Sequence, residues 1–280
     1  MTDIIPFLSA SYSADNPDVT LLGLPYDQHQ SGRLGADQAP AAIRAASDLI
    51  ETYSPYLNRD LENYKILDAG NLDLSGNFPL QKIQAAARGM FQSNPLPVFI
   101  GGNHSITISI VQAAHTVFPD VHILILDAHA DLREEYLGSR DNHACVTRRI
   151  GETIGFDRIK IFGLRSGLAE EFALVQQYDL RVALFEEELD RLYRFLEKKP
   201  VYLSLDLDVF DPGIFPAAPA PEPGGISYNV FLELCQRLNN LTFIGFDVTE
   251  FTPLLDKSGI SAVLAASCIR ELILIGIKRH

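Results

Sequence analysis

Short apolar runs rich in β-branched residues recur along the chain, and longer amphipathic segments separate them. Eight such runs predict strands: Val19–Leu24, Lys65–Asp68, Val98–Gly101, Val121–Asp127, Ile159–Gly163, Arg181–Leu184, Val201–Asp206 and Leu241–Asp247. Six intervening segments predict helices: Ala39–Leu49, Leu80–Gln92, Ile106–Val117, Glu170–Gln177, Glu186–Leu196 and Asn229–Leu238. Strands that alternate with helices favour βαβ units and a largely parallel sheet covered on both faces.

Three of the predicted strands lead into histidines or acids. His104 follows the strand Val98–Gly101. At the ends of the strands Val121–Asp127 and Val201–Asp206, the side chains alternate at a spacing of two residues: Asp127, His129 and Asp131 in the former, Asp206 and Asp208 in the latter. Side chains at positions i, i+2 and i+4 of an extended chain point to one face, so each group can converge on one point. Functional residues of parallel sheets gather at the carboxyl ends of the strands. We therefore expect these six side chains to lie together.

This set of side chains predicts a centre for two divalent cations. Four carboxylates gathered without a cation would repel one another and shift their pKa values, whereas two divalent ions balance four negative charges. Carboxylates and imidazoles without a thiolate suit Mn²⁺ better than a structural Zn²⁺. Ions held in this way can activate water for hydrolysis. A solvated cluster at a strand end is the alternative interpretation of each segment taken alone.

Composition narrows the class of protein. The 280 residues are 47% hydrophobic, and 23 basic against 36 acidic residues give a net charge of -13. This charge argues against nucleic acid and anionic membranes as partners and fits a small cationic substrate. Three cysteines without a CxxC motif indicate a reducing compartment. With no signal-like N-terminus and no apolar run of membrane-spanning length, we expect a cytoplasmic protein with one domain over residues 1–280.

Three segments carry most of a family resemblance: Gly101–Ser105, Asp127–Asp131 and Ser204–Pro212. They are similar to the three signatures of the ureohydrolase family, which includes arginases and agmatinases. Further matches in order and spacing extend over nearly the whole chain: Gly163–Ser166, Pro221–Gly225 and Thr249–Pro253. The resemblance implies a three-layer α/β/α sandwich around a mainly parallel eight-stranded sheet.

The resemblance also implies roles for individual residues. All six predicted ligands match the family's metal-binding positions, which hold two Mn²⁺ per chain. Asp131 would stabilise the reaction intermediate as well as bind metal. His143 falls where the family keeps a proton-transferring histidine, and Glu250 matches the glutamate that pairs with the guanidinium of the substrate. The family further suggests a homo-oligomer, either a trimer or a hexamer.

One position departs from the family pattern. Family members usually carry Asp or Glu before the first histidine, where this chain has Asn103. We expect Asn103 to orient His104 by a hydrogen bond but to supply no negative charge, which would weaken metal affinity. A non-catalytic metal-binding relative is therefore a second hypothesis. A third, a thiol nucleophile at Cys145, leaves the carboxylates unexplained.

The segment after Asp131 bears on the substrate. It is acidic at Glu134, Glu135 and Asp141 and is similar to that of prokaryotic agmatinases. If these acids face the mouth of the site, they would repel the carboxylate of arginine. Arg133 and Arg140 weaken this charge argument. The predicted reaction is hydrolysis of agmatine to putrescine and urea. Arginine, guanidinobutyrate, aminopropylagmatine or a formimino compound is the alternative substrate within the family.

Overall fold

A computed structural model describes residues 5–11, 13–28, 33–93, 95–183 and 185–278. Eleven strands lie in these ranges: β1 (Ala10–Ser11), β2 (Val19–Gly23), β3 (Tyr53–Ser54), β4 (Arg59–Asp60), β5 (Ile66–Asn71), β6 (Leu96–Ile100), β7 (His122–Leu126), β8 (Ile159–Phe162), β9 (Arg181–Val182), β10 (Pro200–Asp206) and β11 (Thr242–Thr249). Nine form one sheet in the order β1-β5-β2-β6-β11-β10-β7-β8-β9. Every neighbouring pair in it is parallel, whereas β3 and β4 form a separate antiparallel pair.

Eight α-helices accompany these strands: α1 (Ala39–Ser47), α2 (Pro79–Phe91), α3 (Ile106–Val117), α4 (Val146–Ile154), α5 (Ala169–Gln177), α6 (Glu186–Leu196), α7 (Tyr228–Leu238) and α8 (Ile260–Gly276). Buried side chains of α1, α6, α7 and α8 share one hydrophobic core. Those of α2, α3, α4 and α5 share another. The sheet lies between the two cores, so the predicted α/β/α sandwich is confirmed.

The central strands contribute to both cores by simple alternation. In β10, Leu203 and Leu205 point into the first core while Tyr202 points into the second. In β7, Leu124 and Ile125 divide in the same way. Successive side chains of a strand face opposite sides, and a sheet covered on both faces needs apolar residues at every position. This explains why these strands appear in the sequence as unbroken apolar runs.

The structure differs from the predicted elements in three places. The sheet has a ninth strand, β1, because two residues at its edge pair with Ile66 and Leu67. Helix α4 was not predicted, although its apolar residues Val146 and Ile150 recur at a spacing of four. Helix α8 is also absent from the six predicted helices, and it is buried along most of its length, as expected for a helix that is apolar on most sides. Leu184, the predicted end of β9, lies outside the described residues.

None of the described helices is both long and apolar enough to cross a lipid bilayer.

Candidate metal centre

The candidate ligands follow neighbouring strands at the middle of the sheet. Strands β6, β11, β10 and β7 are adjacent, and the chain segments at their carboxyl ends carry in turn His104, Glu250, the pair Asp206 and Asp208, and the segment 127–131. Because parallel strands end at the same edge of a sheet, these segments meet in one place. All six ligands predicted from the sequence are brought together there.

One group of ligands surrounds the imidazole of His104. Its Nδ1 lies 3.0 Å from Asp131 Oδ2, 3.2 Å from Asp127 Oδ2 and 3.3 Å from Asp206 Oδ2. His104, Asp127 and Asp206 are buried, and each offers a ligand atom close enough to the others to hold a common metal ion. The group therefore forms a first candidate metal position.

A second group surrounds His129. Its Nδ1 lies 2.8 Å from Asp208 Oδ2 and 3.6 Å from Asp127 Oδ1. These three side chains also offer ligand atoms within reach of one ion. Asp127 belongs to both groups and presents one carboxylate oxygen to each. Two metal positions that share a carboxylate are the arrangement expected for a dinuclear centre.

Local backbone structure holds the ligands in place. Asp127 Oδ1 accepts a hydrogen bond from the His129 amide at 2.6 Å, and Asp206 Oδ1 accepts one from the Asp208 amide at 2.9 Å. Asp208 Oδ1 accepts from the Ala128 amide at 3.0 Å, which ties the two segments together. Asp131 adopts a positive φ of 50°. This conformation is unfavourable for a residue with a side chain and is typical of functional sites.

The charges of the described side chains fit divalent cations. Four carboxylates face two imidazoles, so even full protonation of both histidines would leave two negative charges. Burial raises the pKa of Asp131 to about 7, and the neighbouring Asp127 adds to this shift. Burial, followed by repulsion from Asp208, raises the pKa of Asp206 well above its ordinary value. Apart from the His104 imidazole 3.2 Å away, the buried Asp127 Oδ2 has no hydrogen-bond partner among the described residues. Bound divalent ions would satisfy this oxygen and offset the repulsion.

The two histidines respond to the same surroundings. Burial alone would lower the pKa of His104, but hydrogen bonds with Asp127 and Asp131 outweigh it and raise this pKa well above its ordinary value. For His129, attraction to Asp208 likewise outweighs burial and raises the pKa. Conversely, burial would raise the pKa of Asp127, but hydrogen bonds with the two imidazoles lower it. The acids that raise the pKa values of the two imidazoles would also attract divalent cations.

A chain of buried hydroxyl groups orients His104. Its Nε2 lies 3.1 Å from Ser204 Oγ, and Ser204 Oγ donates to Asp247 Oδ1 at 2.6 Å. Asp247 Oδ2 accepts from Tyr202 at 2.6 Å and from Thr107 at 3.1 Å. Because Ser204 gives its proton to Asp247, it accepts one from Nε2. The Nδ1 atom is then left to face the metal position, as is usual for metal-binding histidines.

Asn103 does not have the role expected from the sequence. Its Oδ1 accepts hydrogen bonds from the amide and the hydroxyl of Ser105, at 3.2 and 2.5 Å. Its Nδ2 donates to the carbonyl of Gln28 at 2.7 Å. The contacts of the His104 ring are instead with Ser204 and the three acids. Asn103 therefore shapes the loop that carries His104 rather than orienting its ring.

Glu250 lies beside the two metal positions. It is buried, and its Oε1 accepts from the His104 amide at 2.6 Å. Its own amide donates to the carbonyl of Gly102 at 3.0 Å, and its φ is 58°. A Cβ at Gly102 would lie 1.9 Å from the carbonyl oxygen of Tyr26, so only glycine fits where these loops cross. The carboxylate is thus fixed by both neighbouring loops.

These side chains line a cavity of about 340 Å³ that includes most of the predicted site residues: His104, His129, Asp131, His143, Asp206, Asp208 and Glu250. His143 begins a short 3₁₀ turn, and its ring packs edge-on against Tyr136 with the centroids 6.1 Å apart. The guanidinium of Arg133 lies 4.4 Å from the centroid of the same Tyr136 ring. A larger cavity of about 730 Å³ elsewhere contains none of these ligands.

The acids that follow Asp131 do not line the cavity, and the alternative nucleophile at Cys145 is disfavoured. Glu134, Glu135 and Asp141 are exposed and do not line the cavity, and Glu134 instead lies 3.5 Å from Arg140. Cys145 is buried, and burial, with the nearby Asp131, raises the pKa of its thiol to about 11. A buried, protonated thiol is a poor nucleophile.

Several polar residues that line the cavity were given no role on the basis of the sequence, among them Arg133, Ser166, Glu171 and Glu222. Glu222 lies within the segment Pro221–Gly225, whose match to the family was the one signal that could have identified it. Glu171 is buried on α5, and its two oxygens accept from the Leu132 and Leu168 amides at 2.8 and 2.7 Å. No spacing in the sequence connects either residue to the metal ligands.

Fold and site together define a protein of the α/β/α class whose candidate metal centre lies at the strand ends. Residues 17–275 match the sequence profile of the Arginase family. An agmatinase from Bacillus anthracis is 34% identical over 97% of this chain and 96% of its own length. An N(1)-aminopropylagmatine ureohydrolase from Thermococcus kodakarensis is 33% identical over 82% and 81%. The structure of agmatine ureohydrolase of Thermoplasma volcanium has a TM-score of 0.87 and 30% identity, with 99% of this chain and 95% of that chain covered.

The chain belongs to the arginase family. It is therefore a ureohydrolase of a metal-dependent family, and the resemblance inferred from its sequence is confirmed.

Proposed function

We propose that this enzyme hydrolyses agmatine to putrescine and urea with two Mn²⁺ per chain. The observation that carries the proposal is one cavity lined by members of both ligand groups and by the buried Glu250, with Asp127 shared between the two groups. The names of the relatives from Bacillus and Thermoplasma support agmatine as the substrate.

Each of the two ions would be held by its own group of residues. His104, Asp127, Asp131 and Asp206 would hold one, and Asp127, His129 and Asp208 the other. Oxygen and imidazole ligands without sulfur suit Mn²⁺. When bound, such ions act as Lewis acids and activate water.

Glu250 would bind the substrate guanidinium. A carboxylate pairs with a planar guanidinium through two parallel hydrogen bonds. The hydrogen bond from the His104 amide holds Glu250 in the wall of the cavity beside that metal ligand. The guanidinium carbon would therefore be presented to the activated water.

His143 and Asp131 would assist the reaction. Water adds to the guanidinium carbon, and the bond from that carbon to the nitrogen of the tail then breaks. His143 lines the cavity and would deliver a proton to the leaving amine, since an imidazole titrates near neutral pH. Asp131, in contact with His104 at the first metal position, would steady the intermediate. The products are urea and putrescine.

The remaining properties follow from the family and the charge. We infer one ureohydrolase domain over residues 1–280, a cytoplasmic location, and no nucleic-acid or membrane partner, which the net charge of -13 supports. Family resemblance supports a homotrimer or homohexamer. Light scattering coupled to size-exclusion chromatography would test this assembly, and a strict monomer would contradict it.

A substrate panel tests the proposed reaction. Mn²⁺-loaded protein is assayed for urea with agmatine, arginine, 4-guanidinobutyrate and aminopropylagmatine, the last because a relative is named for it. We expect the highest kcat/KM for agmatine. If another compound of the panel were hydrolysed equally well or better, agmatine would not be the preferred substrate. Absence of urea from every compound would favour the non-catalytic relative.

A further inference from the structure

We propose that Glu222 binds the distal ammonium of the substrate and so selects guanidines with a cationic tail. This inference rests on the proposed function, since it assigns the far end of the same substrate. Glu222 takes the role in substrate discrimination that was considered for Glu134 and Glu135, which are exposed and lie outside the cavity. Selection of an ammonium tail depends on where the Glu222 carboxylate is held and on which other charges share its cavity.

Glu222 is half-buried in the wall of the cavity that contains the metal ligands. Its Oε1 accepts a hydrogen bond from Ser166 Oγ at 2.9 Å. No described residue donates a hydrogen bond to its Oε2. One oxygen of this carboxylate is therefore fixed by the protein, while the other can accept from an ammonium group.

The backbone around Glu222 is tied to the metal-binding loops. Arg165 Nη2 donates to the carbonyl oxygens of Glu222 and Asp208, each at 2.8 Å. The Ser166 amide donates to the carbonyl of Ala128 at 2.8 Å, and the Ala130 amide donates back to the Ser166 carbonyl at 3.1 Å. Through these bonds, the carboxylate keeps a fixed position relative to the ligands on both loops. Such preorganisation favours selective binding.

The other acids of the cavity are already engaged. The two oxygens of Glu171 accept from backbone amides, and Glu250 accepts from the His104 amide beside the metal positions. The remaining carboxylates belong to the two ligand groups. Glu250 is assigned to the guanidinium, so Glu222 is the described acid of this cavity, outside the ligand groups, that is left to pair with the tail.

Arg133 could favour a substrate with an anionic tail, whereas Glu222 would favour one with a cationic tail. It is the one arginine or lysine among the described residues that line the cavity, and a carboxylate tail could pair with it. However, the guanidinium of Arg133 packs over the ring of Tyr136, so one face of this cation is already engaged in a cation–π contact. Glu222 has no such partner, so the geometry favours an ammonium tail.

The experiment compares agmatine with butylguanidine, which lacks the tail charge, in wild-type enzyme and in Glu222→Gln. Glutamine keeps an oxygen that can accept from Ser166 but loses the negative charge. We expect kcat/KM for agmatine to fall about 10- to 100-fold, the usual effect of one charged hydrogen bond. The loss should be mainly in KM. Butylguanidine should change less than about 3-fold. The matched control, Glu134→Gln, should leave the ratio between the two substrates unchanged.

Three outcomes would overturn the assignment. Equal losses for both substrates would show that Glu222 only supports the fold of the site, and no loss would remove it from recognition. A wild-type preference for 4-guanidinobutyrate that disappears in Arg133→Gln would place the tail on Arg133. Calorimetric binding of agmatine and butylguanidine to the Mn²⁺-loaded variants repeats the comparison without turnover. The tail site is therefore tested even if no urea is released and the proposed function fails.

Discussion

At the scale of single residues, Asp127 connects the two candidate metal positions because its oxygens face different histidines. We predict that Asp127→Ala loses more bound Mn²⁺ than Asp208→Ala, whose side chain belongs to one group only. Metal content after dialysis, measured by inductively coupled plasma spectrometry, checks this. Equal metal loss in the two variants would contradict a shared carboxylate.

His143 should affect turnover without affecting metal content. We predict that His143→Ala keeps its Mn²⁺ but loses roughly 10²- to 10⁴-fold in kcat, the usual contribution of a general acid or base. Cys145→Ser is the matched control nearby, and it should stay largely active because the thiol is buried and protonated. Near-normal turnover by metal-loaded His143→Ala would exclude it from proton transfer.

For Asn103, the structure leads to the opposite prediction from the family pattern, in which an acid at this position strengthens metal binding. An acid at this position would set a carboxylate against the carbonyl of Gln28, which now accepts a hydrogen bond from Asn103 Nδ2. We expect Asn103→Asp to destabilise the fold by about 1–3 kcal/mol, the cost of losing a buried donor, and not to tighten Mn²⁺ binding. Denaturant unfolding and a metal titration measure the two effects. Tighter binding with unchanged stability would restore the expectation drawn from the family pattern.

The metal ligands could be predicted from the sequence because their signal is local. Asp127, His129 and Asp131 alternate directly after a strand, and alternation determines the face on which side chains lie. A role for the Glu222 side chain could not be predicted, because its orientation depends on hydrogen bonds with Arg165 and Ser166, residues far away in the chain. Glu134 shows the opposite error, since charge alone does not say which way a loop side chain points.

At the scale of secondary-structure elements, the long helix α8 depends on an acid that precedes it. Asp256 Oδ2 accepts from the Ser261 amide and Oδ1 from the Ser258 amide, both at 2.8 Å. The small burial of Asp256 would raise its pKa, but hydrogen bonds from Ser258 and Ser261 outweigh it and lower the pKa below its ordinary value. The ionised carboxylate therefore stabilises the start of α8.

This stabilisation has a definite pH dependence. We predict that Asp256→Ala lowers the free energy of unfolding by about 0.5–2 kcal/mol at pH 7. Because the pKa is lower in the folded state, the contribution is present above the ordinary value of 3.8 and is lost as the pH falls below it. The difference from wild type should shrink in acid. Urea unfolding at pH 7 and pH 3 measures it, with Lys257→Ala, an exposed neighbour, as the control. A constant difference would contradict the role of the ionised carboxylate.

Elements were predicted best where they form the two cores. The apolar runs of β7 and β10 follow from burial on both faces, and they are confirmed by the sheet. The edge strand β1 was missed because two residues show no periodicity. Its pairing with β5 depends on the tertiary structure and not on local propensity.

At the scale of the whole molecule, the sheet and the chemistry are linked by topology. Four adjacent strands place all the proposed metal ligands and Glu250 at one edge, while helices cover both faces. The ligand-bearing loops are fixed by buried hydrogen bonds, so the site is organised by the fold before substrate binds. The metal ions, if bound, should then be needed mainly for chemistry and less for folding.

The most direct test of this account is a Mn²⁺ titration of metal-stripped protein, with bound metal and urea production from agmatine followed in the same samples. We predict that the stripped protein is folded but inactive and that activity rises with bound Mn²⁺ to a plateau at two ions per chain. Circular dichroism should change little during the titration. Turnover at the native rate without metal, or no urea at full occupancy, would contradict the central claim that a two-ion centre in this cavity hydrolyses agmatine.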